Sequence, residues 1–178
     1  MTLFDLVIRN AKIFDGSGAM PAAEDIAVKD GRIAARGTNL PPGAREIDGK
    51  GLWLTPGLLD IHTHYDLEVE LAPGLPESVR HGTTTVVVSN CSLGLAFGAQ
   101  RDGGEDPVVD CFARVENIPK PVLKRVADRA TWNDSADYLD HLETLTLGPN
   151  IAPMIPYSML RIAGDGRHAV GDARSDRG

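Results

Sequence analysis

No run of residues in this chain is long and apolar enough to cross a membrane. The longest β-branched stretch, Thr83 to Val88, covers six positions, where a spanning helix needs about twenty. The opening MTLFDLVIRNAKIFDG is broken by Asp5, Arg9 and Lys12, so it has neither the basic start nor the apolar core of an export signal. Basic clusters are missing too. Eighteen Lys and Arg face twenty-five Asp and Glu, a formal charge of -7 that offers no surface to nucleic acid or to an anionic membrane. Cysteine is down to Cys91 and Cys111, and without an export signal these sit among reductants that keep thiols free. The expectation is a cytoplasmic protein with small soluble partners, in which Cys91 is to be weighed as a thiol or as a ligand. There is no repeat at a solenoid period and no heptad pattern.

What is present is enough apolar material, 42% of 178 residues, for one ordinary domain or two small ones. Residues 3 to 52 read as short strands. Asp30-Gly31, between two β-prone runs, is a strong signal for a two-residue hairpin, because both residues tolerate the positive φ of a type I′ turn. The expectation is a small antiparallel sheet with few residues to cover both faces. From Pro56 the pattern changes to an apolar strand, LLDIHTH, a loop leading to ESVRHG, a second strand, TTTVVVSN, and an irregular stretch rich in Gly, Asp and Pro. KPVLKRVADRA and SADYLDHLETL then read as helices, the latter with an apolar stripe of Tyr138, Leu139, Leu142 and Leu145, and NIAPMIPY as a third strand. Strand, connection, strand, helix, strand is the order of βα units around a parallel sheet. The segment after Leu160 has no sustained period and is expected to be poorly ordered.

In a strand, alternate residues share a face, so the first strand would carry Asp60, His62, His64 and Asp66 on one side. A parallel strand buried on both faces normally reads as continuously apolar, so this polar face calls for an explanation. Two imidazoles at i and i+2 can share one ion, and zinc accepts them. The second apolar strand ends at Cys91, on the side where parallel strand ends converge, and a thiolate is a strong zinc ligand. Read alone, Cys91 would be a small buried hydrophobe. His81 and His141 are most simply structural or surface residues, and His168 a solvated one.

DLVIRNAKIFDGSG, IAVKDGRIAARG, GLWLTPGLLDIHTHYD, HGTTTVVVSNCSLGLA and, more loosely, NIAPMIPYSMLR together resemble the N-terminal part of the amidohydrolase superfamily, and within it the N-acyl-D-amino-acid deacylases, or D-aminoacylases. PGLLDIHTH carries the superfamily resemblance and SNCSLG the deacylase branch. The resemblance implies an α/β fold. A small β-domain, part of a composite β-sandwich, would occupy residues 1–55, and the first strands and helices of a metal-dependent (β/α)8 TIM-like barrel would occupy 56–178. It implies His62, His64 and Cys91 as ligands of one or two zinc ions. Asp60 and Asp66 read either as carboxylates behind the histidines that orient them, the reading preferred for Asp60, or as merely polar strand residues. The resemblance also implies hydrolysis of an N-acylated D-amino acid to a carboxylate and a D-amino acid.

The family's general acid/base carboxylate, drawn from a late barrel strand, is expected beyond Gly178. The 123 residues from Pro56 onward are about half of the roughly 250 in a complete barrel, so a truncated or split member is expected. A second departure is that Pro156, Tyr157 and Ser158 precede Leu160 and Arg161 where many deacylases place Gly-His. A half-barrel leaves an unpaired strand edge, so self-association or a partner chain completing the barrel is expected. Two other readings compete: a cyclic-amide hydrolase of the hydantoinase or dihydroorotase type, against which Cys91 argues, and a family fragment that holds metal without performing chemistry.

Overall fold

In the computed structural model the chain divides into two units, Met1–Pro56 and Gly57–Gly178. The structure describes residues 3–95, 106–132 and 134–165. The first unit forms around its longest strand, β1 (Phe4–Ile13). Next come β2 (Ala22–Lys29) and β3 (Arg32–Gly37), joined at Asp30 and Gly31. Both turn residues have positive φ, 50° and 71°, and Lys29 pairs with Arg32 across the turn, as the Asp-Gly pair predicts. β4 (Gly43–Asp48) and β5 (Trp53–Leu54) then lie along β1.

The expected antiparallel sheet is only half realised. β1 pairs antiparallel with β2, but parallel with both β4 and β5. Parallel pairing depends on residues far apart in sequence, which local strand patterning does not encode. The buried centre is small, with Phe4, Val7 and Ala27 packed together.

The polar anchor of this sheet is Asp25. β1 bulges between Ile8 and Ala11, with Asn10 at φ 54°. Asp25 accepts hydrogen bonds there from the Asn10 N–H at 3.0 Å, the Leu40 N–H at 3.2 Å and Arg9 Nη1 at 3.0 Å. Arg9 also donates to Glu46 at 2.6 Å. The Asn10 N–H, then Arg9 and the Leu40 N–H, hold the Asp25 carboxyl below its usual range against the effect of its burial.

In the second unit β6 (Leu58–Asp60), β7 (Thr83–Val88) and β8 (Asn150–Pro153) form a parallel sheet in the order β6-β7-β8. Helices α1 (Asp66–Leu71), α2 (Pro76–Arg80), α3 (Pro107–Val115), α4 (Lys120–Ala127), α5 (Ser135–Thr144) and α6 (Tyr157–Asp165) connect and follow these strands. The core lies where Val86 and Val88 of β7 meet Leu67 and Val69, Phe112, Leu123, Tyr138 and Met159. At the start of β6 a Cβ on Gly57 would lie 2.1 Å from Thr84 Oγ1, so only glycine permits this close approach of β6 to β7.

The parallel order matches the expectation for strands one to three, but their extents do not. The first strand stops at Asp60 rather than running through His64, and Ile61, expected on the apolar face, is 66% exposed. Tyr138 and Leu142 face the core, while Leu139 of the expected stripe is half exposed. α3 lies in the stretch read as irregular, with the Asp106 side chain capping it through the Val108 and Val109 N–H groups. α6 begins at Tyr157, where a third strand was expected to end. His168 and the chain from residue 166 lie outside the described residues. Among the described residues no helix is long and apolar enough to cross a membrane.

Because the folded pKa of Asp25 is depressed, its contribution to stability is present above the unfolded value of about 3.9 and is lost as pH falls through the folded one. Asp25→Asn should lower unfolding free energy near pH 7 by about 2 kcal/mol, by leaving buried donors poorly paired. It should also flatten the acid limb of stability against pH. Urea denaturation from pH 7 down to pH 2 measures both, and a variant with the wild-type slope and midpoint would contradict the role given to Asp25.

Candidate metal centre

His62, His64 and Cys91 come together at the C-terminal ends of two neighbouring parallel strands. One ligand atom from each lies within 4.8 Å of the others. His62 Nε2 and Cys91 Sγ are 3.2 Å apart, and the two imidazole rings meet edge-on with centroids 5.5 Å apart. A tetrahedral ion with nitrogen at about 2.0–2.1 Å and sulfur at about 2.3 Å places its donors roughly 3.3–3.6 Å from one another, so small adjustments would let this set close on one ion. His64 Nδ1 is buried without a hydrogen-bond partner. A buried polar atom so placed is costly unless something pairs with it. The donor chemistry, two imidazoles and one cysteine sulfur, suits zinc. His62 and Cys91 are exposed and His64 partly so, so the three donors face solvent.

The grouping does not arise from strand alternation. Beyond Asp60 the chain leaves the sheet, and the two histidines sit on a connection that enters α1 at Asp66. Thr63, between them, is buried and holds that connection to β7: its N–H donates to the Val87 carbonyl at 3.3 Å and its Oγ1 at 2.8 Å. Cys91 lies in a one-turn 3₁₀ segment, Asn90–Ser92, reached through Ser89. Ser89, Cys91 and Ser92 all take positive φ, 67°, 53° and 64°, a conformation that non-glycine residues hold only when their surroundings enforce it. Asn90 Nδ2 donates to the Val87 carbonyl at 2.9 Å. Ser158 Oγ donates to the Ser92 carbonyl, and Trp132 Nε1 to the Leu95 carbonyl.

Neither aspartate hydrogen-bonds a histidine ring, though the charge of His64 acts on Asp66. Asp60 Oδ1 accepts the His62 backbone N–H at 3.3 Å. Asp66 is wholly buried and accepts from Ser89, N–H to Oδ2 at 3.0 Å and Oγ–H to Oδ1 at 2.7 Å. Burial raises the Asp66 carboxyl above its ordinary range, with the Ser89 bonds acting against it.

Sequence reasoning missed Glu116, which ends α3 and brings Oε1 to 3.8 Å from His64 Nε2. No local pattern flags it, because α3 reaches the site only through tertiary packing. His81 is exposed. His141 pairs with the buried Glu70 at 2.9 Å and stacks on Trp132, away from the candidate centre.

No protein-family model matches the chain. A protein of Mycobacterium tuberculosis with no assigned function is 42% identical over 164 residues, 90% of this chain and 26% of that protein. The N-acyl-D-aspartate deacylase of Alcaligenes xylosoxydans xylosoxydans is 32% identical over 161 residues, 89% of this chain and 29% of that enzyme. The crystal structure of N-acyl-D-glutamate deacylase from Bordetella bronchiseptica, complexed with zinc and a phosphonate mimic of the tetrahedral intermediate, matches with a TM-score of 0.70. The identity is 29%, over 90% of this chain and 31% of that one. N-acyl-D-amino-acid deacylases are homologous to this chain over about 90% of its length.

The chain spans between a quarter and a third of the length of these deacylases and of the mycobacterial protein. The match to a D-hydantoinase of Rhizobium radiobacter runs over 62 residues, 35% of the chain, so the deacylase homology is the more extensive.

Both cysteines are free, Cys91 exposed and Cys111 half-buried on α3, where burial pushes its thiol up. In chelator-treated protein, iodoacetamide should alkylate Cys91 at least about tenfold faster than Cys111, as followed by peptide mass mapping. Equal rates would contradict the difference in environment.

Proposed function

We propose that this chain is the ligand-bearing N-terminal portion of a zinc-dependent N-acyl-D-amino-acid deacylase. The observation that carries the reading is the convergence of His62, His64 and Cys91 at the strand ends of a parallel sheet, in a chain whose homologues over about 90% of its length are deacylases. β6, β7 and β8 are read as the first three strands of a (β/α)8 barrel, whose sites lie at the C-terminal ends of its strands. The sheet pairs no further strand beyond β6 or β8 among the described residues, and Ile61, Met154 and Ile155 are exposed. A further polypeptide segment, from a longer chain, a second copy or a partner, would cover them.

His62, His64 and Cys91 would hold the zinc. Bound there, zinc would supply Lewis acidity toward an amide carbonyl and would acidify a water held at the site. The partial exposure of the three donors leaves room for the substrate beside them. The fixed turn at Ser89 and the Thr63 tie keep the two ligand-bearing connections at constant separation, so the donors need not reorganise during turnover. Proton transfer to the leaving amine is assigned to a carboxylate in the length of the relatives that this chain does not span.

That coverage favours a second reading, in which these 178 residues bind metal but do not complete the reaction. Hydrolysis of N-acetyl derivatives of D-aspartate, D-glutamate and apolar D-amino acids, set against their L isomers and a hydantoin, separates the readings. Zinc-dependent release of D-amino acid, lost with a chelator and reduced at least about a hundredfold in His62→Ala, is the outcome that establishes the deacylase. Zinc binding at one ion or more per chain without hydrolysis would assign the second reading. Hydantoin opening, or no zinc binding at all, would contradict both.

A further inference from the structure

We infer that Asp66 is a positioning residue that sets the Cys91 turn against the histidine connection, and so fixes the spacing of the three donors; this rests on the reading of His62, His64 and Cys91 as one metal centre. Cys91 is the donor least supported by regular structure. β7 ends at Val88, and of the next four residues three have positive φ, so the backbone alone does not hold the thiol in place. What holds it is Asp66, two residues beyond His64, which accepts both polar hydrogens of Ser89 at 3.0 and 2.7 Å. The Asp66 side chain is wholly buried, and a buried polar group is costly unless such bonds compensate for lost hydration. The bonds cross from the first residue of α1 to the residue that opens the turn, so any shift of the histidine connection is passed to Cys91.

Gly94 closes the same arrangement from the other side. A Cβ at that position would lie 2.5 Å from Ser89 Oγ and 2.7 Å from Ser89 Cβ. The turn therefore folds back onto its own start, and a side chain at Gly94 would displace Ser89 from Asp66 without touching any donor. Asp66 and Gly94 thus perturb one contact by independent routes.

The test is metal binding by the 178-residue chain. Cobalt(II) titration reports the thiolate through its near-ultraviolet charge-transfer absorption, and zinc affinity follows from competition with a chromophoric chelator. Asp66→Asn should raise the zinc Kd about 10- to 100-fold and weaken the charge-transfer band relative to the visible bands, with far-ultraviolet circular dichroism unchanged. Ser89→Ala, which keeps the backbone bond, should shift both in the same direction by less, and Gly94→Ala should resemble Asp66→Asn. If Asp66→Asn does not fold, Ser89→Ala and Gly94→Ala decide by the same criterion. Variants that bind zinc within twofold of the wild type with an undiminished band would overturn the role of Asp66 while leaving the metal centre intact. A wild type with no charge-transfer band would remove the centre itself, and the positioning role with it.

Discussion

The candidate site depends on one constraint: both donor-bearing connections leave the sheet before they reach their donors. β6 ends at Asp60 and β7 at Val88, so His62, His64 and Cys91 lie outside the strand ladder, with the Thr63 N–H to the Val87 carbonyl as a single backbone bond from the histidine connection to β7. Side chains supply further ties. Thr63 ties the histidine connection to the Val87 carbonyl, Asn90 binds the same carbonyl, and Asp66 joins the start of α1 to Ser89. The polar residues near the donors thus serve mainly to hold two pieces of irregular backbone at a fixed separation. The apolar core below, centred on Val86, Val88 and the helices, supplies the rigid base from which these bonds act.

The sequence made the donors legible for a reason that was only partly correct. Strand alternation put His62 and His64 on one face, yet neither residue is in a strand. They converge because the buried Thr63 between them pins the connection and leaves both imidazoles on the open side. The same alternation put Asp66 on the face of the histidines, whereas it is buried and bonds to Ser89. Signals with a short range were read well: Asp30-Gly31 forms the hairpin, and α4 and α5 occupy the segments with helical spacing. α1 was missed because it is only six residues long and begins inside the histidine motif. α3 was missed although Asp106 and Pro107 form a helix-start signal, because the surrounding Gly- and Asp-rich composition outweighed it. The parallel pairing of β1 with β4 and β5, and the approach of Glu116 to His64, depend on contacts between distant residues that no window of sequence contains.

The two units bury their polar anchors in different ways. In the first, Asp25 is matched by the cationic Arg9 and two backbone donors, and its carboxyl stays easily ionised. In the second, Asp66 is matched chiefly by the two hydrogen bonds from Ser89, deep enough that burial dominates its ionisation. The first arrangement stabilises a bulged sheet. The second trades easier ionisation for a precise link between two connections, as expected where geometry rather than stability is at stake.

The central claim is that one sulfur and two imidazole nitrogens from these two connections share a single ion. Zinc-edge X-ray absorption on the zinc-loaded chain at one equivalent tests it most directly. The account predicts one sulfur scatterer at about 2.3 Å and two imidazole nitrogens at about 2.0–2.1 Å, with any remaining coordination by light atoms. A first shell of nitrogen and oxygen alone, with no sulfur, would contradict it.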